Sequence, residues 1–221
     1  MCVFLFFSFS PDTENLYTEI MQKMCDPYGK KFTWEVKMMM MGKKQEEAAN
    51  VFIENMKIPI SVTEYKDLVD GYIREIFPHA AFLPGAERLV KHLHSHGIPL
   101  ALATGSHGEE FELKTSKHQD IFSLFSHCVL SSEDPDVSKG KPAPDCFLVA
   151  AQRFQGNVQS NKVLVFEDAP NGVRGALAAG MQVVWVPDSD CVLGDLGDSV
   201  TSVLKSLEEF APEDFGLPAY D

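Results

Sequence analysis

From residue 84 onward, short apolar runs alternate with amphipathic helical segments. Residues 86–96 predict a helix that ends at Gly97, and residues 98–103 then form an almost continuously apolar run. The pattern continues with a helix over 145–154, a strand over 163–166, a helix over 173–179 that ends at Gly180, a strand over 182–186 and a final helix over 200–210. Apolar runs of this kind are typical of parallel strands that helices cover on both faces. The alternation therefore predicts an α/β fold with a doubly wound, Rossmann-like parallel sheet.

The segment from residue 12 to 81 has helical periodicity and no run of alternating strand residues. Its apolar side chains recur at helical spacing in three stretches: Leu16, Ile20 and Met24; Ala48, Phe52, Ile53 and Met56; Leu68, Tyr72, Ile73 and Ile76. The methionine cluster over 38–41 predicts a core-facing stretch that ends in a solvated loop. We therefore predict an α/β core formed by residues 1–12 and 82–221, with an inserted helical cap over 13–81. An insert on two short connections is placed to act as a lid.

Composition and charge limit the class of function. The chain has 221 residues, 45% hydrophobic and 23% charged, as expected of a soluble globular protein. Its net charge of −13 argues against a nucleic-acid partner, because such proteins neutralise phosphates with clustered Lys and Arg. A small phosphorylated metabolite stays possible, since one local positive pocket can outweigh a distant acidic surface. The composition therefore favours a small-molecule partner.

The opening run MCVFLFFSFS is apolar but shorter than the roughly 20 residues that span a bilayer. The first lysine is Lys23, so the basic start of a secretion signal is missing. We interpret the run as a buried strand or a replaced N-terminus and predict no membrane partner. The five cysteines are scattered and form no C-x-x-C pair, which favours free thiols and a cytoplasmic location.

Polar residues follow the apolar run over 98–103. Thr104, Gly105 and Ser106 supply two hydroxyls and a flexible backbone at the carboxyl end of a predicted strand, where open α/β sheets bind their ligands. Hydroxyl and N–H donors at such a turn can hold a phosphate. The alternative is an ordinary helix N-cap, a position that Thr and Ser also favour.

An acidic pair, Glu167 and Asp168, follows the strand over 163–166. Two adjacent carboxylates raise each other's cost of ionisation, and a divalent cation relieves that cost. Oxygen ligands favour a hard ion, and Mg²⁺ typically uses one or two protein carboxylates with water and substrate phosphate. The alternative is that Asp168 caps the next helix while Glu167 faces water.

Lys141 stands between Gly140 and Pro142, which fix the backbone around it. A lysine placed in this way can supply a compact positive charge beside a phosphate, although a solvated turn lysine is the alternative. Hydroxyls at one strand end, a fixed lysine and an acidic pair at a later strand end are the parts of a Mg²⁺-assisted phosphoryl-transfer site.

With these segments in view, the chain resembles the haloacid dehalogenase-like hydrolases that carry a helical cap. ALATGS, GKPAPDCF and FEDAPNGV match the second, third and fourth motifs of that family, and MGKK and FGLPAY extend the likeness. The resemblance implies a Mg²⁺-dependent phosphomonoesterase that acts on a small phosphorylated nucleoside or sugar. By it, Thr104 and Ser106 contact the phosphoryl group and Lys141 steadies it, while Asp168 binds Mg²⁺ with help from Glu167. Gly42, Lys43 and Lys44 would border the substrate opening.

The first motif of that family, a sequence like F-D-x-D-G, is missing. Leu5 and Phe7 occupy the places of its two aspartates, the nucleophile and the acid–base. Asp12 lies seven positions beyond the nucleophile's place, roughly 23 Å along an extended chain, so it cannot substitute. We therefore predict an inactive chain, with two explanations open: a replaced first segment, or a non-catalytic relative that binds phosphate or a partner.

Overall fold

The computed structural model describes residues 13–40, 43, 45–156, 158–188 and 191–221, so the predicted first strand lies outside the described residues. The chain divides into two compact units, one helical and ending at Ala80, the other the α/β unit Ala81–Asp221. No helix in these ranges has the length and apolar character needed to cross a membrane.

In its described part the helical unit contains four α-helices: α1 (Thr13–Cys25), α2 (Trp34–Met40), α3 (Gln45–Met56) and α4 (Val62–Ile76). Helices α1 and α3 pack against α4, and α2 packs against α3. Ser61 and Glu64 form a capping box that begins α4. The core is apolar, with Ile20 and Phe52 fully buried.

Two sequence predictions for this unit are wrong. Met38 and Met39 are 52% and 43% exposed, because the seven-residue helix α2 turns Val36 inward instead. Leu68 is 42% exposed, since the buried face of α4 lies one position further along. That face consists of Tyr65, Val69, Ile73 and Ile76.

The α/β unit contains five strands and six α-helices among its described residues. In chain order they are α5 (Ala86–Ser95), β1 (Ala101–Thr104), α6 (Gly108–Thr115), α7 (Gln119–Phe122), β2 (His127–Leu130), α8 (Asp145–Gln152), β3 (Leu164–Glu167), α9 (Pro170–Ala178), β4 (Gln182–Trp185), α10 (Gly194–Gly197) and β5 (Ser202–Val203). Gly97 and Gly180 follow α5 and α9 with positive φ, as predicted for residues that end helices.

All strand pairs are parallel within the described residues, and they form two sheets. β1 pairs with β2, and β4 lies between β3 and β5. Alternate residues of β3 enter different cores: Val165 packs in one hydrophobic cluster, whereas Leu164 and Phe166 pack in another. The strands are therefore covered on both faces, which confirms the predicted doubly wound α/β fold.

The predicted final helix over 200–210 is wrong. Ser202 and Val203 form the edge strand β5, and the backbone amides of Thr201 and Leu204 donate to the carbonyls of Val183 and Trp185, both at 2.9 Å. Pairing satisfies the backbone N–H and C=O groups at the open edge of β4. This stabilisation outweighs the helical tendency that the spacing of apolar residues indicated. Strand β2 was missed, since its run of Cys128, Val129 and Leu130 is short.

Candidate active site

The Lys141 side chain connects the carboxyl ends of β1 and β3. Its ammonium donates to the Ala103 carbonyl at 3.1 Å and forms a hydrogen-bonded ion pair with the Glu167 carboxylate. Ala103 precedes Thr104, the last residue of β1, and Glu167 is the last residue of β3. One cation thus joins the ends of strands that belong to different sheets among the described residues.

Burial and pairing act on Lys141 in opposite directions. Burial by itself lowers the pKa of Lys141, but the attraction of Glu167 outweighs it, and the pKa is raised overall. The Phe147 ring lies 4.9 Å from the ammonium and adds a favourable cation–π contact. The lysine is therefore held charged, and the alternative of a solvated turn lysine is wrong.

Glu167 is buried, so the alternative that it faces water is also wrong. Its side chain is 1% exposed, and one carboxylate oxygen bonds to Lys141. The other oxygen, Oε2, has no hydrogen-bond partner among the described residues. A buried oxygen left without a donor is costly and is the kind of atom that a bound water or ion satisfies.

Gly172 makes room for the Glu167 carboxylate. A Cβ added at Gly172 would overlap the Glu167 side chain, because α9 passes directly over the end of β3. Sequence reasoning missed this role, since a glycine early in a helix gives no sign of what it faces. Here the glycine is required by close packing and not by backbone conformation.

Asp168 leads from β3 into α9. The indole N–H of the fully buried Trp185 donates to its backbone carbonyl at 2.8 Å. Ala169, not Asp168, occupies the N-cap of α9. The backbone of the acidic pair is therefore fixed by the neighbouring strand β4.

The turn over 104–106 is braced from within and by the loop after β2. The Ser106 amide donates to Thr104 Oγ1 at 3.1 Å, and the Ser132 hydroxyl donates to the Ser106 carbonyl at 3.1 Å. Helix α6 begins beyond the turn, with His107 as its N-cap, so the alternative that Thr104 or Ser106 caps this helix is wrong. The Gly108 amide donates to the Glu133 carboxylate at 2.6 Å, which already occupies the start of α6.

Lys114, on α6, is a buried cation that sequence reasoning missed. It is 5% exposed, and its ammonium lies 3.3 Å from the Ser106 hydroxyl and 3.9 Å from the Glu110 carboxylate. Burial lowers the pKa of Lys114, while the attraction of Glu110 and Asp168 opposes that shift. Lys114 follows the apolar Phe111 by three residues, and this spacing puts both side chains on one helix face. That spacing was the sequence feature that could have indicated its burial.

Gly42 and Lys44, like Leu5 and Phe7, lie outside the described residues. Lys43 is exposed and belongs to the helical unit, where its amide donates to the Met40 carbonyl at 3.2 Å. The structure thus brings together the ends of β1 and β3, Lys141 and the acidic pair, and the role of 42–44 stays a prediction.

A parallel α/β unit with buried polar side chains at the carboxyl ends of its strands defines a Rossmann-like class of protein. The model of the haloacid dehalogenase-like hydrolase family matches residues 13–180. The chain therefore belongs to the haloacid dehalogenase-like hydrolase family, as its motifs predicted.

Relatives match the chain over nearly its whole length. It is 46% identical to (DL)-glycerol-3-phosphatase 2 of Arabidopsis thaliana, over 95% of this chain and 88% of the relative. It is 45% identical to the probable pseudouridine-5'-phosphatase of Drosophila melanogaster, over 99% of this chain and 94% of the relative. The crystal structure of a family hydrolase from Deinococcus radiodurans R1 superposes with a TM-score of 0.77 at 19% identity, covering 94% and 92% of the two chains, and shares the fold.

Proposed function

We propose that the ends of β1 and β3 form the phosphoryl-binding half of a phosphomonoesterase site for a small phosphorylated nucleoside or sugar. One observation carries the proposal: Lys141, whose side chain is only 13% exposed, bonds to the end of β1 and to Glu167 at the end of β3. A cation fixed at two strand ends is already positioned when an anion arrives, so little reorganisation is needed.

Each side chain has a distinct role in this proposal. The Thr104 and Ser106 hydroxyls, with the Gly105 backbone, donate to the oxygens of the phosphoryl group. Lys141 supplies positive charge where negative charge accumulates, and Glu167 holds that ammonium in place. The site therefore binds and orients the phosphoryl group with groups that other contacts hold fixed.

Mg²⁺ is the cofactor that we propose, and the donors at the end of β3 fit it. Asp168 and Glu167 would hold the ion, directly or through water, and the buried Oε2 of Glu167 offers an oxygen with no hydrogen-bond partner in the described chain. The described residues contain no cluster of three or more His, Cys, Asp or Glu side chains that could hold a metal. Mg²⁺ typically binds through one or two protein carboxylates, keeps several waters and contacts the substrate phosphate. When bound, it would neutralise charge on the phosphoryl oxygens.

Two candidate functions differ in how they account for the missing aspartate nucleophile. Family chemistry passes through an aspartyl-phosphate, and this chain has Leu5 and Phe7 at the two aspartate positions of the first motif. We propose that the chain with these residues binds phosphate without turning it over. The second candidate is a non-catalytic relative in which the rest of the site also serves only to bind phosphate or a partner, so that restoring the two aspartates would not restore turnover.

The substrate class is proposed from the named relatives. One acts on glycerol-3-phosphate and another on pseudouridine 5'-phosphate by their names, so a small phosphomonoester such as pseudouridine 5'-phosphate is the first to test. The helical unit would act as a cap that gates entry, with Gly42, Lys43 and Lys44 at the opening. We propose a cytoplasmic location for this activity.

The deciding experiment is hydrolysis of an aryl phosphate with Mg²⁺ by the chain and by its Leu5→Asp/Phe7→Asp variant. We expect background rates from the first and measurable turnover from the second, because the proposal assigns every other part of the site to residues that both chains share. The Leu5→Asn/Phe7→Asn variant is the matched control, since asparagine is similar to aspartate in size and polarity but supplies no carboxylate nucleophile. Adding Lys141→Met to the aspartate variant should lower turnover by about 10²–10³-fold.

If no hydrolysis is detected, measurement of phosphate binding distinguishes the two candidates. If the aspartate variant is inactive yet both chains bind inorganic phosphate, the non-catalytic function is favoured. If neither chain binds phosphate or hydrolyses the ester, the phosphatase candidate and the phosphate-binding form of the second candidate are both wrong. Hydrolysis by the asparagine control would contradict the aspartyl-phosphate chemistry.

A further inference from the structure

The loop over 131–139, called the bracing loop below, follows β2 and contacts the turn after β1. The Ser132 hydroxyl donates to the Ser106 carbonyl at 3.1 Å. The next residue, Glu133, accepts the Gly108 amide at 2.6 Å, where α6 begins. Two consecutive side chains of the loop therefore bond to the backbone of the turn and of the helix that follows it, so the shape of the turn depends on where the loop lies.

Burial does not fix the bracing loop. All of its residues are described, and they form turns and bends without a helix or a strand. Ser132 and Glu133 are both exposed, so water competes for the groups that contact the turn. An exposed segment of this kind opens easily unless other contacts hold it. The contacts that hold the loop therefore decide how well it supports the turn.

A forked ion pair between Asp134 and Arg153 holds the bracing loop. The two terminal nitrogens of the guanidinium donate to the two carboxylate oxygens, at 2.6 and 2.7 Å. The Asp134 side chain is 9% exposed and that of Arg153 32%, so the pair is partly shielded from water. Forked bonds fix the orientation of the two groups as well as their distance. Because Asp134 directly follows Glu133, the pair fixes the loop beside the residues that contact the turn.

Helix α8 supports this ion pair. Arg153 is the C-cap of α8, and the helix packs against β1 and β2. The first residue of the same helix, Asp145, accepts the Lys139 amide at 3.0 Å, at the far end of the bracing loop. The Phe147 ring of α8 lies 4.9 Å from the Lys141 ammonium. One helix thus holds the loop at two points and contacts the lysine of the candidate site.

The charge of the bracing loop is unfavourable for an anion site. Three acidic residues, Glu133, Asp134 and Asp136, stand within four positions, next to the turn that we propose binds phosphate. Negative charge near an anion opposes its binding, so these carboxylates would lower the affinity if charge were their only effect. A favourable effect on geometry can offset that cost. Removing one carboxylate therefore distinguishes positioning from charge by the sign of the change in affinity.

We propose that Asp134 and Arg153 are positioning residues of the phosphate site. Their forked ion pair holds the bracing loop in the place from which Ser132 and Glu133 support the turn over 104–106. Neither residue touches the anion, and both act through the loop. This inference rests on the proposed function and extends it to residues that lie away from the strand ends.

The test measures binding of inorganic phosphate to the full chain by isothermal titration calorimetry in magnesium chloride buffer. Asp134→Asn removes one negative charge and brings an amide N–H against the N–H groups of Arg153, so the forked pair is lost. We expect about tenfold weaker phosphate binding, because a displaced turn costs affinity even though a repelling charge has gone. The matched control is Asp136→Asn. It removes the same charge from the same loop, but from a side chain that is 68% exposed, and it should stay within twofold of the wild type.

Three results would overturn the inference. Stronger phosphate binding by Asp134→Asn would show that charge dominates, and unchanged binding would show that the pair stabilises the loop without influencing the site. An equal loss in Asp136→Asn would show that the forked geometry has no special effect. Where Asp134→Asn fails to fold, Arg153→Lys decides, because lysine keeps the charge but cannot form the forked bonds. We expect it to weaken phosphate binding about threefold, and wild-type affinity in this variant would overturn the inference.

Hydrogen exchange of the phosphate-free chain gives an independent readout. In Asp134→Asn we expect the amides of the bracing loop and of residues 104–108 to exchange about tenfold faster, because the acceptor of the Gly108 amide is no longer held in place. The amides of α4, in the helical unit, are the internal control and should keep their wild-type rates. Wild-type rates over 104–108 in this variant would contradict the proposed link between loop and turn.

Wild-type binding separates this inference from the proposed function. If the wild-type chain and Thr104→Val both fail to bind phosphate, the proposed function itself is wrong. If the wild type binds phosphate, Thr104→Val weakens it and Asp134→Asn stays within twofold of the wild type, only the role of the ion pair is wrong.

Discussion

The two units of the molecule bury polar groups differently. Every buried polar or charged residue among those described lies in the α/β unit: His92, Thr104, Lys114, Thr115 and Glu167. The described core of the helical unit is apolar, and its buried Tyr65 hydroxyl contacts only the soft sulfur of Met21, at 3.5 Å. Buried charge has a stability cost that an apolar core avoids. Four of these five residues lie at the end of β1, at the end of β3 or on α6, which supports the proposal that these positions serve binding.

Removing one partner of a buried ion pair should have the largest effect on stability. Lys141→Met leaves Glu167 buried without its cation, and we expect a loss of about 3–5 kcal/mol in the free energy of unfolding. Urea denaturation measures it. The exposed pair of Lys91 and Glu87 supplies the control, because Lys91→Met removes an ammonium that water already solvates and should leave stability nearly unchanged. Equal losses in the two variants would show that the buried pair has no special place in the fold.

Two helical glycines sharpen the comparison because the same substitution should change stability in opposite directions. In the α/β unit, Gly172→Ala forces a methyl group into the Glu167 carboxylate and should destabilise the protein by about 1–3 kcal/mol. In the helical unit, Gly71→Ala on the exposed face of α4 meets no atom and should stabilise by about 0.5–1 kcal/mol. Thermal unfolding of both variants checks the signs. A stable Gly172→Ala protein would mean that Glu167 can move aside.

A smaller effect concerns the helical unit at high pH. Burial raises the pKa of Tyr65 to about 12, against about 10 in the unfolded chain. Between these values the unfolded chain has already released its proton and the folded chain has not, so stability should fall by about 1.4 kcal/mol per pH unit above pH 10.

The matched variant Tyr65→Phe cannot ionise at this position, so its stability should not show this additional fall above pH 10. The measurement is the difference in unfolding free energy between wild type and variant, followed from pH 9 to pH 11. A difference that stays constant over this range would show that the Tyr65 hydroxyl titrates at its ordinary pKa.

Much of the architecture could be predicted because it depends on local patterns. Apolar runs such as 98–103 and 163–166 identified two strands. Lys141 proved to join their ends, because it bonds to the carbonyl of Ala103, directly before Thr104, and to Glu167. Parallel strands in open sheets direct their carboxyl ends toward shared sites, so strand order in the sequence was enough to bring these residues together. The edge strand β5 was missed, since its pairing satisfies the backbone of β4 and leaves little local pattern.

The sequence by itself determined the α/β class, the helical unit and the chemistry available at the strand ends, including the leucine and phenylalanine in place of two aspartates. Only the tertiary structure decided that Glu167 is buried, that Gly172 leaves space for its carboxylate, and that Lys114 on α6 contacts Ser106. The reason is physical. Periodicity and motif report which residue types stand near one another along the chain, whereas burial of a charge depends on packing between segments that are distant in sequence.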